Sequence, residues 1–184
     1  MNPAASSPEE DVPTSDHVVG EFRHALRDPN HRPARRLDGL LVDLLASNLD
    51  QWNLEDKGRG PGVDDAVVAE TKRAIDRLNE RRHQLVEAID AAIDRAVVQT
   101  ASAPLATESP AMAFDRLSVL VIRIHHTERA AGEDASEGDL YAARLPVLYR
   151  QLADLQQAID GLIEDVREGT RRFVPYQSLK LYGQ

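Results

Sequence analysis

Cysteine is absent from this sequence, and its absence removes several kinds of chemistry at once. Disulfide bonds, thiolate zinc sites and cysteine nucleophiles are all excluded. Disulfides are typical of oxidising compartments, so a chain without them fits the reducing cytoplasm. We therefore expect a cytoplasmic protein.

A surplus of positive charge is also lacking. The sequence carries 22 basic against 31 acidic residues, which gives a net charge of -9 and an isoelectric point near 5.1. Sequence-independent binding to nucleic acid or to anionic lipid depends on a basic surface. The composition argues against both ligands, and no nucleic-acid partner is predicted.

Long apolar runs are missing as well. No stretch approaches the roughly 20 apolar residues that a membrane-spanning helix needs, so no membrane span is expected. The first residues, MNPAASSPEEDVPTSD, contain neither a basic region nor an apolar core and do not resemble a signal peptide. Their proline, serine and acidic residues instead predict a disordered tail over residues 1–14.

What the sequence does contain is helical periodicity interrupted by strong breaks. Apolar residues recur every three or four positions, and nothing alternates with period two for long enough to form a strand. The strings DPNHRP, KGRGPG, ASAPLATESP and AAGEDASEGD separate the periodic segments. Pro146 marks either the true start of the last helix or a kink within it. We predict an all-α bundle in a single domain over residues 15–184, with a short N-terminal helix and four long ones, at about 16–27, 33–56, 64–100, 111–130 and 139–169.

The segment DRLSVLVIRIHHTER, residues 115–129, is apolar on nearly all sides when it is drawn as a helix. A helix of that kind is usually buried among others. We therefore expect the helix around 111–130 to be central. Its polar side chains should lie inside the protein or at the end of the core.

Several polar residues occupy helix positions where a leucine would be expected. Asn48, Glu55, Arg82 and Glu128 fall on apolar stripes, and Asp56 lies at the edge of one. An unpaired buried charge costs several kcal/mol, so such groups are paired or neutral. The simplest pairing places Arg82 against Glu55 or Glu128, with Asn48 and Asp56 close by.

A second inward face of the central helix carries Asp115 and His126. Two interpretations of these polar residues stay open: a structural network that sets the helix register, and a network that also lines a ligand pocket. No catalytic residue is assigned, because the sequence has neither a phosphate-binding loop nor a nucleophile elbow. The full candidate ligand-binding set is Asn48, Glu55, Asp56, Arg82, Asp115, His126 and Glu128.

One more polar row borders the apolar stripe of the third helix. It consists of Asp76, Asn79, His83 and Asp90. We interpret it as a solvated flank, with interhelical hydrogen bonds as the alternative.

Glu-x-x-His pairs occur twice, as EFRH at 21–24 and as ERRH at 80–83. Two such pairs hold the metals of ferritin-like di-iron bundles. Glu80 lies opposite the apolar stripe of its helix and would face water, so we reject a di-iron centre. A mixed site of Glu55, His126 and Glu128 is the remaining metal hypothesis. No metal and no other cofactor is predicted.

Four strings resemble, in this order, the bacterial family called domain of unknown function 4254: NLDQWNLEDKGR at 48–59, KRAIDRLNERRHQLVEAID at 72–90, DRLSVLVIRIHHTE at 115–128 and YQSLKLY at 176–182. The resemblance covers about residues 37–182. Members often carry histidine where this chain has Leu45 and Asn53, which weakens the metal hypothesis further. The positions that match the family pattern are Asn48, Trp52, Glu55, Asp56, Arg59, Lys72, Arg73, Ile75, Asp76, Leu78, Asn79, Arg82, Glu87, Asp90, Asp115, Leu117, Ser118, His126, Glu128, Tyr176, Lys180 and Tyr182.

The resemblance implies no reaction, because the family is defined without one. It implies an association with glycosyltransferases of cell-envelope polysaccharides. We favour a non-catalytic binding or accessory protein with a partner of the glycosyltransferase type, because no residue is an obvious nucleophile. The alternative is a small-molecule-binding protein or enzyme that holds an anionic or sugar-type ligand through the polar cluster. Homodimerisation through a spare apolar face stays open.

Overall fold

The computed structural model describes residues 11–58, 65–133 and 138–179. These residues form five helices and no sheet, so the predicted all-α class is confirmed. None of the described helices combines the length and the apolarity that crossing a bilayer requires. The helices are α1 (Ser15–Arg27), α2 (Arg36–Gly58), α3 (Asp65–Ala96), α4 (Pro110–Glu133) and α5 (Gly138–Arg167).

Local sequence signals explain where the helices begin. The hydroxyl of Thr14 accepts a hydrogen bond from the backbone N–H of His17 and caps α1. Ser109 caps α4 in the same way, and Pro110 follows at the first helical position, where its missing N–H costs nothing. Pro146 lies inside α5, which begins eight residues earlier at Gly138. The expected N-cap of α3, Asp64, lies outside the described residues.

Helix α4 contacts each of the other four helices. Its side chains Phe114, Leu117 and Ile122 are fully buried. This environment explains why α4 is apolar over most of its circumference, since it packs against a helix in several directions.

Not every apolar stripe is covered. The C-terminal half of α3 buries Leu85, Ile89 and Ile93, whereas Val67 and Val68 near its start are about half exposed. Among the described residues, α3 and α5 both pack on α4 but have no Cα pair within 8 Å of each other. One side of α4 therefore stays open between them.

The N-terminal segment packs before α1 begins. Val12 is buried, and Arg167 donates hydrogen bonds to the Asp11 carboxylate at 2.7 Å and to the Val12 carbonyl at 3.3 Å. The Ser15 backbone N–H donates to Asp160 at 2.8 Å. A buried valine and these polar contacts thus join the segment before α1 to α5. Residues 1–10 lie outside the described part of the chain.

The C-terminal segment, residues 170–179, runs back along α3. The Phe173 backbone N–H donates to the Gln99 side chain at 2.7 Å, and the Tyr176 hydroxyl lies 2.7 Å from Nδ1 of His83. The Tyr176 and His83 rings also stack, with centroids 5.7 Å apart. These contacts bring Tyr176, the first residue of the string YQSLKLY, beside the polar residues of α3.

Candidate functional site

The best-defined polar contact inside the bundle joins α3 to α4. The Arg82 guanidinium donates two hydrogen bonds to the Asp115 carboxylate, from Nε to Oδ1 at 2.8 Å and from Nη2 to Oδ2. Only 5% of Asp115 is exposed, whereas the Arg82 side chain keeps 34% of its surface in water. The guanidinium thus reaches from a partly exposed position to a buried carboxylate.

Helix α2 contributes a third partner to this pair. The Asn48 amide donates to Oδ1 of Asp115 at 2.9 Å and to the Ser118 hydroxyl at 2.7 Å. Ser118 in turn donates to the Asp115 backbone carbonyl at 2.8 Å. The hydrogen bond to Asp115 raises the pKa of Arg82, and burial opposes that rise. The charged form of Arg82 is therefore favoured, and the three helices are joined at one level of the fold.

The predicted partners of Arg82 were wrong. Its ion pair is with Asp115, and not with Glu55 or Glu128. Glu128 lies 13 residues beyond Asp115 on α4, which is about 20 Å further along the helix axis. A helical wheel records the direction of a side chain but not its depth, so it placed residues together that lie at different levels. The expectation that Asn48 lies nearby is confirmed.

His126 forms a separate cluster at the other end of α4. Its ring stacks on Trp52 of α2, with centroids 5.3 Å apart and an angle of 4° between the planes. Nε2 of His126 is buried and has no hydrogen-bond partner among the residues that the structure describes. Burial and the neighbouring His125 lower the pKa of His126, while Asp56 raises it in part. Burial therefore favours the neutral form of the imidazole.

Glu128 belongs to a third location. It accepts a hydrogen bond from the Tyr149 hydroxyl of α5, and this bond raises the pKa of Tyr149. The two residues line a small pocket of 220 Å³ together with Arg23, Arg27 and His125. Glu128 is exposed there, so it does not belong to the buried network that the sequence suggested.

The seven candidate residues thus lie at several separate locations and do not form one site. Asn48, Arg82 and Asp115 are together, His126 shares a pocket with Asp56, and Glu128 is apart. Glu55 accepts a hydrogen bond from Gln51 one turn earlier at 3.2 Å. Among the described residues, the ligand atoms of the proposed mixed metal site, Glu55, His126 and Glu128, do not converge.

Asp90 does not lie on a solvated flank, and that interpretation of the sequence was wrong. It is fully buried and accepts hydrogen bonds from the backbone N–H groups of Ala111 at 2.9 Å and Tyr176 at 2.8 Å. Desolvation raises the pKa of Asp90, and these hydrogen bonds, with one from Ser109, lower it in part. Asp90 joins the start of α4 and the C-terminal segment to α3. Its alternative interpretation as an interhelical hydrogen-bonding residue was the better one.

An open groove follows α4 and α5 and connects two of these places. One depression of 720 Å³ begins at Arg82 and Asp115, and a second of 680 Å³ contains Trp52 and His126. Arg123 and Gln151 line both, so the two depressions meet. We call the combined feature the α4–α5 groove. Its apolar lining includes Val119, Leu120, Val147, Leu155, Ala158 and Leu162.

The fold and the site define an all-α protein with an Asn–Arg–Asp hydrogen-bond network beside a surface groove. The family model described as "Protein of unknown function (DUF4254)" matches residues 38–174 of the 184-residue chain. The chain belongs to this family. No curated protein and no solved structure is detectably similar to it.

Proposed function

We propose that this protein is a non-catalytic binding protein, and that its α4–α5 groove takes an amphipathic helix of a partner protein. The observation that carries the proposal is the uncovered side of α4, which α5 borders on one side and α3 and then α2 border on the other. An apolar groove between two helices is the usual receptor for the apolar face of a third helix.

The dimensions of the groove suit such a helix. Its lining on α5 runs from Tyr141 to Leu162, which spans about 32 Å at a rise of about 1.5 Å per residue. A partner helix of about 21 residues would fill it. Charged residues of both signs also line the groove: Arg123 and Arg144 are basic, and Asp154 is acidic. An apolar centre with a polar rim is the common composition of a protein interface.

The polar groups near the groove support binding more than catalysis. Arg82 is engaged by Asp115, and Arg116 is paired with Glu108 at 2.5 Å. A general acid or base needs a proton in reach of a substrate. These side chains instead neutralise one another, as residues that shape a surface do.

For the partner, we propose a glycosyltransferase of cell-envelope polysaccharides. The support for this class is the family resemblance alone. The groove itself requires only a segment with apolar residues at helical spacing.

A pair of matched substitutions tests the groove. Val147 lines it and is 52% exposed, whereas Val67 is 48% exposed and lies outside it. A photo-crosslinking residue at Ala158 should capture a helical segment of another protein in the native host, and mass spectrometry identifies the segment. Val147→Glu should abolish the crosslink and Val67→Glu should leave it intact. Equal crosslinking in both variants, or a crosslink only to a second copy of this chain, would reject the proposal.

A second candidate function rests on His126. His126 lines a depression together with Asp56 and Arg123, so an anionic or sugar-type ligand has hydrogen-bonding partners there. Thermal unfolding with nucleotide sugars and with inorganic phosphate tests it. A ligand-dependent rise in Tm that His126→Phe removes would support this function. No rise with any of these compounds would reject it.

A further inference from the structure

A convergence of metal-binding side chains lies outside the groove, at the end of α1. Glu21 and His24 are three residues apart, so they share one face of the helix. His31, in the loop that follows, places its Nε2 2.7 Å from Oε2 of Glu21. One potential ligand atom from each of the three residues lies within 4.8 Å of the other two.

The loop is built to return His31 to the helix. The His31 backbone N–H donates to the Asp28 carbonyl at 2.9 Å, and the Asn30 N–H donates to the Asp28 carboxylate at 2.9 Å. The Arg32 guanidinium bonds the carbonyls of Pro29 at 3.3 Å and His31 at 2.8 Å. This tight turn, and not chance side-chain placement, positions the third group.

We propose that Glu21, His24 and His31 form a binding site for one divalent transition-metal ion, with Zn²⁺ as the expected occupant. Two imidazoles and one carboxylate are a common zinc donor set, and they leave a fourth coordination position for water. Ligands about 2 Å from a tetrahedral ion stand about 3.3 Å apart. Small rotations of the half-buried Glu21 and His31 and the exposed His24 bring the three atoms to that spacing.

A salt bridge accounts for only part of this arrangement. Glu21 and His31 satisfy each other as a pair, but His24 then adds a third donor with its ring edge-on to His31, at a centroid distance of 5.5 Å. A bound ion would replace the hydrogen bond between Glu21 and His31. The partial negative charge at the C-terminus of α1 also favours a cation there.

The sequence pattern of a di-iron centre does not describe this site. A di-iron centre needs two Glu-x-x-His pairs that face the core, and Glu80 of the second pair was expected to face water. A single ion needs only the first pair, EFRH, and one further ligand, which the turn supplies. The cluster also precedes the residues that match the family model, so it is independent of the proposed groove function.

Calorimetric titration of the full, tag-free chain with ZnCl₂, after removal of metal by EDTA, tests the proposal. We expect one ion per chain. His24→Ala and His31→Ala should each weaken binding at least about tenfold, the lower limit of what even an outer-shell partner contributes. His83→Gln is the matched control, because it removes a histidine that lies elsewhere and keeps the capacity to bond Tyr176.

A measurement on the unaltered protein guards against variants that fail to fold. Stoichiometric Zn²⁺ should raise the Tm of the wild type, since an ion that binds only the folded state stabilises it. Co²⁺ should give the visible absorption bands of a tetrahedral site. No stoichiometric binding to the wild type would overturn the proposal, as would binding that survives the triple substitution E21Q/H24A/H31A in a folded protein.

Discussion

Arg82 of α3 and Asp115 of α4 hold each other at two points, and the carboxylate is the buried member of the pair. The same carboxylate accepts a hydrogen bond from Asn48 of α2. One aspartate therefore fixes the relative depth of three helices. Removal of this carboxylate leaves the Arg82 guanidinium and the Asn48 amide without their hydrogen-bond acceptor.

We expect Asp115→Ala to lower the free energy of unfolding by about 3 kcal/mol, the lower end for a broken buried pair, because Arg82 remains one-third exposed. Glu108→Ala is the control, since its partner Arg116 is 61% exposed. That loss should stay below about 1 kcal/mol. Urea denaturation measures both, and equal losses would show that the burial of Asp115 adds nothing.

His126 should make the stability of the protein depend on pH. Burial lowers the pKa of His126 below its ordinary value of 6.5. As the pH falls, His126 is therefore protonated at a higher pH in the unfolded chain than in the folded protein. Stability from the neutral ring is complete above pH 6.5 and is lost as the pH falls from there through the folded-state pKa.

The comparison of wild type with His126→Phe isolates this effect. Phenylalanine keeps a ring against Trp52 but does not titrate. The variant should gain in unfolding free energy relative to the wild type as the pH falls from about 7 to about 5. Chemical denaturation across this range measures the difference. A difference that stays constant with pH would contradict the assignment.

Helix α1 should unfold together with the rest of the bundle, although it precedes the residues that match the family model. Phe22 of α1 is completely buried. Phe22→Ala should cost about 3–5 kcal/mol, whereas Val67→Ala at a half-exposed position should stay within about 0.5 kcal/mol. Trp52 fluorescence and circular dichroism should report one coincident transition in urea. Two separate transitions would show that α1 is an independent unit.

Two glycines, one within α5 and one just after it, should respond to alanine in opposite directions. Gly169 has a φ of 73°, and an added Cβ would collide with Oγ1 of Thr100. Gly161 has no neighbouring heavy atom within 4 Å of the position of an added Cβ. Gly169→Ala should therefore cost at least about 1–2 kcal/mol, and Gly161→Ala should add about 0.5–1 kcal/mol.

The hydrogen bonds around Gly169 explain why it is needed. The Thr170 N–H donates to the Asp165 carbonyl at 2.9 Å and the Gly169 N–H donates to the Val166 carbonyl at 3.1 Å, the pattern that ends a helix with a left-handed residue. Thermal unfolding of both variants measures the two effects. A stabilising Gly169→Ala would mean that the end of α5 does not require a left-handed residue.

The helices were predictable because their signals are local. Apolar spacing placed all five, and strong breaks placed the loops. The boundaries shifted by a few residues: α2 begins at Arg36 and not near residue 33, and α3 ends at Ala96 and not near residue 100. Such shifts depend on how the last turn is satisfied, which periodicity does not describe.

The site was less predictable because it depends on contacts between distant residues. The sequence identified Arg82, Asp115 and Asn48 as polar residues on apolar stripes, but it assigned Arg82 the wrong partner. Asp90 borders its stripe, and only the start of α4 and the C-terminal segment bury it. A position at the edge of a stripe is wet or dry according to what packs beside it.

By itself, the sequence determined the helical class, the positions of the helices and the set of polar residues that required partners. Hydrophobic periodicity and the cost of unpaired buried charge are properties that each segment carries with it. Only the tertiary structure decided which of those residues meet, which side of α4 stays open and that His31 returns to Glu21. Those outcomes depend on the axial offset between helices and on the path of the loops. The apolar periodicity of a single helix predicts neither of them.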